Sequence, residues 1–158
     1  MTFAAIGTMG RLPEIVADGS TLDEGLWSHI VADANVSAII GQRCFPNAVP
    51  QGEQMPAAVY QLISSEHDET MDGASGLATA RYQISAWAAT RREAKMLADA
   101  LRLRLQSYRG MLGSVEVQDI SLAARRDVFE PSPDKLHQSR FGVQLDFEIW
   151  FIESVPTH

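Results

Sequence analysis

The stretch "SAWAATRREAKMLADALRLRL", Ser85–Leu105, changes its period within a few residues, and that change decides the fold class. Up to Trp87 the chain alternates, with Tyr82, Ile84 and Ala86 on one face and Arg81, Gln83 and Ser85 on the other, the two-residue repeat of a half-buried strand. From Ala94 the apolar positions are Ala94, Leu97, Ala98, Leu101, Leu105 and Tyr108, the steps of three and four that put side chains on one helical face. Thr90 and Glu93 have the spacing of a capping box, which satisfies orphan N–H groups of a first helical turn. Lys95, Asp99, Arg102 and Gln106 take the wet face, and Gly110 predicts the helix stop. A strand therefore passes directly into a helix that must cover it.

Working outward, "AAVYQLISS" (Ala57–Ser65) is rich in β-branched and aromatic residues and predicts a strand, paired as a hairpin with Leu77–Trp87. The turn-rich "EHDETMDGASG" (Glu66–Gly76) reads as its long tip. Upstream, Thr21 and Glu24 repeat the capping-box spacing, so a helix should start at Leu22, with Leu26, Ile30 and Trp27 on its apolar side. A second short helical turn, Ser37–Ile40, stops at Gly41. The three prolines of "RCFPNAVPQGEQMP" (Arg43–Pro56) predict a loop. Downstream, "SVEVQDISL" predicts a strand whose apolar phase slips between Val117 and Ile120, the mark of a β-bulge. "AARRDVFEPSPDKLHQ" reads as a long loop. Phe141, Val143, Leu145, Phe147, Ile149 and Phe151 then alternate with Gln144, Asp146, Glu148 and Trp150, the clearest strand in the chain.

The order helix, strand, strand, helix, strand, strand predicts an α+β fold: a two-layer sandwich in which a mostly antiparallel four-stranded sheet is covered on one face by two helices. At 158 residues one core is expected. Residues 1–19, with glycines and no period, read as an N-terminal arm or disordered tail; residues 20–154 form the single domain, and 155–158 a C-terminal tail. The 46% hydrophobic content is enough for a packed core, and no apolar run reaches the roughly 20 residues that span a bilayer, so no membrane partner is expected. "MTFAAIG" has neither the basic nor the long apolar segment of a signal peptide, which predicts a cytoplasmic product. Cys44, the single cysteine, excludes an internal disulfide. A net charge of −7 works against stable binding to nucleic acid, which relies on many cations displacing counterions, but suits DNA sliding past as transient cargo.

The residues for catalysis do not assemble. His29, His67, His137 and His158 are scattered over a helix, the hairpin tip, a loop and a tail. "EHDE" (Glu66–Glu69) is the richest local group, but neighbouring strand residues point to opposite faces and do not converge as metal ligands. "DGASG" lacks the Lys-Ser or Lys-Thr pair of a phosphate loop. No catalytic residue, metal or cofactor is therefore expected. Arg125 and Arg126 read as a solvated doublet as readily as a partner contact, and Trp27 and Trp87 as fillers of a core or interface. Trp150 differs, since it falls on the polar phase of the last strand, where a large aromatic suggests contact with another subunit.

In this order and spacing, "TLDEGLWSHIVADANVSAIIGQR", "FPNAVPQGEQMPAAVYQLIS", "YQISAWAATRREAKMLADALRLRL" and "FGVQLDFEIWF" resemble the tail-completion, or tail-terminator, family of long-tailed bacteriophages, over roughly Thr21–Ile152. The resemblance implies a virion protein, assembled in the host cytoplasm, whose copies form a homo-oligomeric, hexameric ring on the head-proximal end of the tail tube. It implies further partners in the tail tube protein and a head-tail connector or stopper, and no enzymatic activity. Another neck component is the alternative, and a small ligand-binding module or enzyme gathering His67 and Asp68 with other carboxylates is a third. Loops Glu66–Gly76 and Arg125–Gln138 are expensive to order unless a neighbour holds them, so Glu66, Asp68, Asp127, Phe129, Glu130, Lys135 and Leu136, with Trp150, are the candidate partner-binding residues.

Overall fold

A computed structural model describes residues 19–70, 73–134 and 138–154. The arm 1–18 and the tail 155–158 lie outside the described residues, as do Lys135 and Leu136. Among the described residues there are three helices, α1 (Gly19–Val31), α2 (Ala34–Ile40) and α3 (Arg91–Leu105). The strands are β1 (Cys44–Pro46), β2 (Ala57–Thr70), β3 (Gly73–Ala88), β4 (Gly110–Leu112), β5 (Val115–Glu130) and β6 (Arg140–Ile152). They form one sheet in the order β1-β2-β3-β6-β5-β4, curled into half a barrel.

This corrects the expected four-stranded antiparallel sheet under two helices. The sheet has six strands and is mixed, because β1 runs parallel to β2 while every other neighbouring pair is antiparallel. β1 and β4 escaped the reading because three residues are too few to show a period. α2 was foreseen only as a turn; it has seven residues, with the Asp33 carboxylate accepting from Val36 N at 3.0 Å and Gly41 closing it at φ 61°. Strand lengths were underestimated too. β2 and β3 continue through most of the supposed hairpin tip, and β5 runs on to Glu130 through half of the supposed loop.

The corner at Thr90 forms as its sequence predicts. The Thr90 hydroxyl accepts from Glu93 N at 3.2 Å and donates to the Glu93 carboxylate at 3.0 Å. Ala94, Leu97, Ala98, Leu101 and Leu105 are buried against the sheet. The helix ends at Leu105, not at Gly110, because Ser107 turns the chain at φ 67°, while Gly110, at φ 143°, opens β4 with the Tyr108 ring against it. α1 starts at Gly19, two residues before Thr21, so Thr21 lies inside the helix and is not its cap.

One face of the sheet carries the core. Tyr82, Ile84 and Ala86 of β3 share it with Val143, Leu145, Phe147 and Ile149 of β6, under Leu22, Leu26 and Ile30 of α1 and the apolar stripe of α3. Each large side chain so buried contributes about 1.5 to 3 kcal/mol. The Tyr82 hydroxyl donates to Asp23, which ties α1 to the sheet, and Trp27 Nε1 donates to the Cys44 carbonyl at 3.1 Å. α1 also lies unusually close to β4: a Cβ on Gly25 would sit 2.3 Å from the carbonyl carbon of Leu112. Burial pushes the Cys44 thiol up to about 12, so it is an inert filler.

β5 reaches both faces by bulging twice. The first irregularity, between Val117 and Asp119, falls where the sequence phase slips. A second, between Leu122 and Ala124, restores the original phase. Val117, Ile120 and Leu122 consequently point to the core, and so do Arg125, Asp127 and Phe129, which sit opposite Leu145, Val143 and Phe141.

Candidate interaction surfaces

The candidate residues that lie among the described ones fall into two groups at opposite ends of the strands. Val128 and Gly142 share a row at one end, Asp119 and Trp150 a row at the other. Eight residues of β6 separate these rows, roughly 27 Å at strand rise.

The first group is built on the end of β5, which is strand, not the loop expected for it. Asp127 points toward α3 and binds Lys95 Nζ at 2.7 Å and Arg91 at 3.3 Å. The hydrogen bond from Lys95, with Lys95, Arg91 and Arg125 as charges, holds its carboxyl below the usual carboxylate range against the opposing effect of desolvation. Beside it Arg125 reaches Asp99 of α3 at 2.9 Å. These exposed pairs fix direction more than they stabilise. Phe129 is 57% exposed and packs on Phe141 with ring centroids 5.0 Å apart. Together with Ala94, Val128 and Val143 the two rings line an apolar pocket of about 170 Å³ that opens to solvent. Glu130 pairs with Arg140 at 3.2 Å across the β5–β6 turn.

The second group gathers at the far end, where Glu66 and Asp68 of β2 and Trp150 of β6 line one groove with Leu77 and Thr79. Glu66 and Asp68 are also strand residues rather than loop residues. Trp150 stands on the face away from the helices and is 37% exposed, as its place on the polar phase predicts. Leu77 and Ile152, opposite each other on β3 and β6, are exposed around it. His67 hydrogen-bonds Glu153 at 2.7 Å. Among the described residues no cluster of three or more metal-ligating side chains forms.

Between the two groups lies the sheet face that the helices leave uncovered, a surface sequence reasoning did not single out. Its centre is Asp146, only 7% exposed, which accepts from Arg126 at 3.1 Å, Arg81 at 3.3 Å and Gln83 at 3.4 Å. Burial alone would raise its carboxyl, but the hydrogen bonds from Arg126, Arg81 and Gln83 outweigh it and the pKa falls below the usual value. Arg81, Asp146 and Glu148 were placed on the polar phases of their strands by sequence alone, but Arg126 was read as part of a loop, and their convergence needed the β5 register. Glu66, Glu116, Asp119, Asp146 and Glu148 outnumber Arg81 and Arg126 on this face.

Burial and the neighbouring Arg104 lower the pKa of His29, its ring lies 4.1 Å from that of Tyr108, and its Nε2 lies 3.3 Å from the Arg104 carbonyl. The arrangement as a whole offers strand ends, exposed aromatics and an acidic open face.

A model of the family described as "Tail completion protein gp17" matches residues 24–152. Among solved structures, a chain of a "Virion of native gene transfer agent (GTA) particle" superposes with a TM-score of 0.58, at 20% identity, over 82% of this chain and 92% of that one. At that identity the likeness concerns the fold. No curated protein matches the sequence.

Proposed function

Because this chain belongs to the tail completion protein gp17 family, and is thus a phage tail completion protein and a structural component of a virion, we propose that it is a tail terminator. In this reading six copies form a ring on the head-proximal end of the tail tube, stop the tube's growth and present a surface to the head-tail connector or stopper. The observation that carries the reading is the division of exposed contact residues between the two ends of the strands. A ring stacked between two neighbours needs two rims, and strands running from rim to rim supply both. One rim carries Asp127, Phe129 and Glu130, the other Glu66, Asp68 and Trp150. Lys135 and Leu136 belong to the first by sequence alone.

The open face then lines the bore. Its excess of carboxylates repels a polyanion, so DNA passes as transient cargo without being retained. No catalytic step enters this function.

The test is to add the purified protein to polymerising tail-tube subunits and measure tube lengths by electron microscopy. Capped tubes of arrested length, with a ring at one end, are expected. Tubes that lengthen as they do without it, and never bind it, refute the terminator reading.

A further inference from the structure

Both edges of the sheet are partly bare, and they are bare in complementary places. Among the described residues β1 covers β2 only from Ala58 to Tyr60, so Gln61–Thr70 has no strand outside it. β4 covers β5 only from Val115 to Val117, and the N–H of Ser107 takes the Ile120 carbonyl at 2.7 Å, leaving Ser121–Glu130 open. Two bare runs of ten residues are a large liability on a protein that works alone. The β2 run also exposes Leu62 at 43% and Ile63 at 48%.

We propose that the ring is closed by β2 of one copy pairing with β5 of the next, with Leu62 seated beside the neighbour's Phe129 pocket. This rests on the ring reading above and specifies its joint. Three observations favour a second copy of this chain as the occupant. The first is direction: β2, β3, β6 and β5 alternate, so an unbroken sheet continued by rotation brings β5 against β2 antiparallel.

The second is stagger. Leu62, Tyr82, Phe147 and Leu122 form one row across the sheet, and the bare run of β2 extends to one side of it while that of β5 extends to the other. A level continuation would collide with β1 at one end and β4 at the other. A slip of six residues, roughly 20 Å, clears both, keeps Leu62 in a row that points to the helix side, and leaves about eight residues paired on each edge. Each copy adds four long strands, about 19 Å of width, so the slip inclines the strands by roughly 45°, the upper end of the range in which closed barrels tilt.

The third is chemistry. Leu62 pairs with Tyr82 and so points to the helix side of the sheet, the side on which Phe129, Phe141 and Val143 open their pocket. With the six-residue slip it lands opposite Phe129, and one apolar knob and one apolar hole are removed from water together.

Cysteine cross-linking tests the joint, since Cys44 is buried and contributes no background. Gln61→Cys is combined with Glu130→Cys, or Ser64→Cys with Val128→Cys, pairs that the slip sets opposite each other on one face, and protein bound to tail tubes is oxidised. A ladder of linked multiples is expected on non-reducing gels; a single cysteine can link no more than two chains. Rings visible on the tubes with no ladder from either pair overturn the joint and leave the ring reading standing. No ring on the tubes overturns both. Leu62→Glu, which sets a second carboxylate beside the neighbour's Asp127, should leave the melting temperature unchanged and weaken ring formation at least tenfold; rings as stable as wild type count against the joint.

Discussion

Gly25 stands in the middle of α1, where helix propensity alone says that alanine is better by about 1 kcal/mol. The structure says the opposite. An alanine Cβ there would lie 2.3 Å from Leu112 C, 2.4 Å from Gly113 N and 2.6 Å from Leu112 O. All three are backbone atoms of the β4–β5 turn, so no rotamer can move aside. To reach an ordinary contact, α1 must retreat from β4 by about 1 Å, and a gap of that size forfeits a quarter to a half of each dispersion contact it opens. Leu22, Leu26 and Ile30, all at 1% exposure or less, ride on that helix. Overpacking of this kind costs about 3 kcal/mol, at the upper end of its usual range because backbone meets backbone. Against the propensity gain, Gly25→Ala should be destabilised by about 2 kcal/mol, a fall in Tm of roughly 4 to 8 °C for a chain of this size. Urea and thermal denaturation followed by circular dichroism measure both. An unchanged or higher Tm would refute the close packing of α1 on β4.

Thr90→Ala removes the oxygen that receives Glu93 N and should lower stability by about 1 kcal/mol; Thr90→Ser, which keeps it, should recover most of the loss. The Asp146 carboxyl is depressed in the folded state, so its contribution is in place above the ordinary carboxylate range and disappears as pH falls through the folded value. Asp146→Asn should therefore flatten the acid limb of a stability–pH curve, and an acid limb as steep as wild type would argue against the Arg81–Arg126 clamp. Trp150→Ala, on an exposed face, should leave Tm within about 1 °C and weaken binding to its stacking neighbour about tenfold or more in a pull-down with tail tubes or connector. In native protein Cys44 should resist thiol reagents at neutral pH and react only after denaturant is added.

The parts of the fold legible in the sequence are those whose information is local. The Thr90 cap, the stripe of α3, the alternation of β6 and the slip that became the first bulge each fit within about a dozen residues and depend on nothing distant. β1 and β4 were illegible because three residues carry no period and gain their strand geometry from β2 and β5. The distal part of β2, "EHD" (Glu66–Asp68), looked like a turn because the hydrophobic pattern marks a buried face, and these residues are exposed on both faces. β5 beyond Leu122 failed for a related reason: Arg125 and Asp127 lie on the core side yet are answered by charges on α3, so polarity there did not mean loop. The exposure of Trp150 on the uncovered face was legible, since its anomaly showed within the strand's own alternation. Phe129 and Asp127 were nominated as loop residues; they are exposed, but on a rigid strand. Asp146 was passed over, because a buried carboxylate on a polar phase looks ordinary until Arg81 and Arg126 are seen to meet it.

The two bulges of β5 bear on how this strand can drift among relatives. Each adds one residue that the neighbouring strand does not match, and together they return the strand to its starting parity. Losing a single residue between Val117 and Ala124 would leave Arg125, Asp127 and Phe129 rotated by half a turn, aimed at the uncovered face of the sheet instead of at α3. Viable length changes in this segment should thus come in compensating pairs, and an aligned sequence showing one lone gap there would have exchanged the two faces of half a strand.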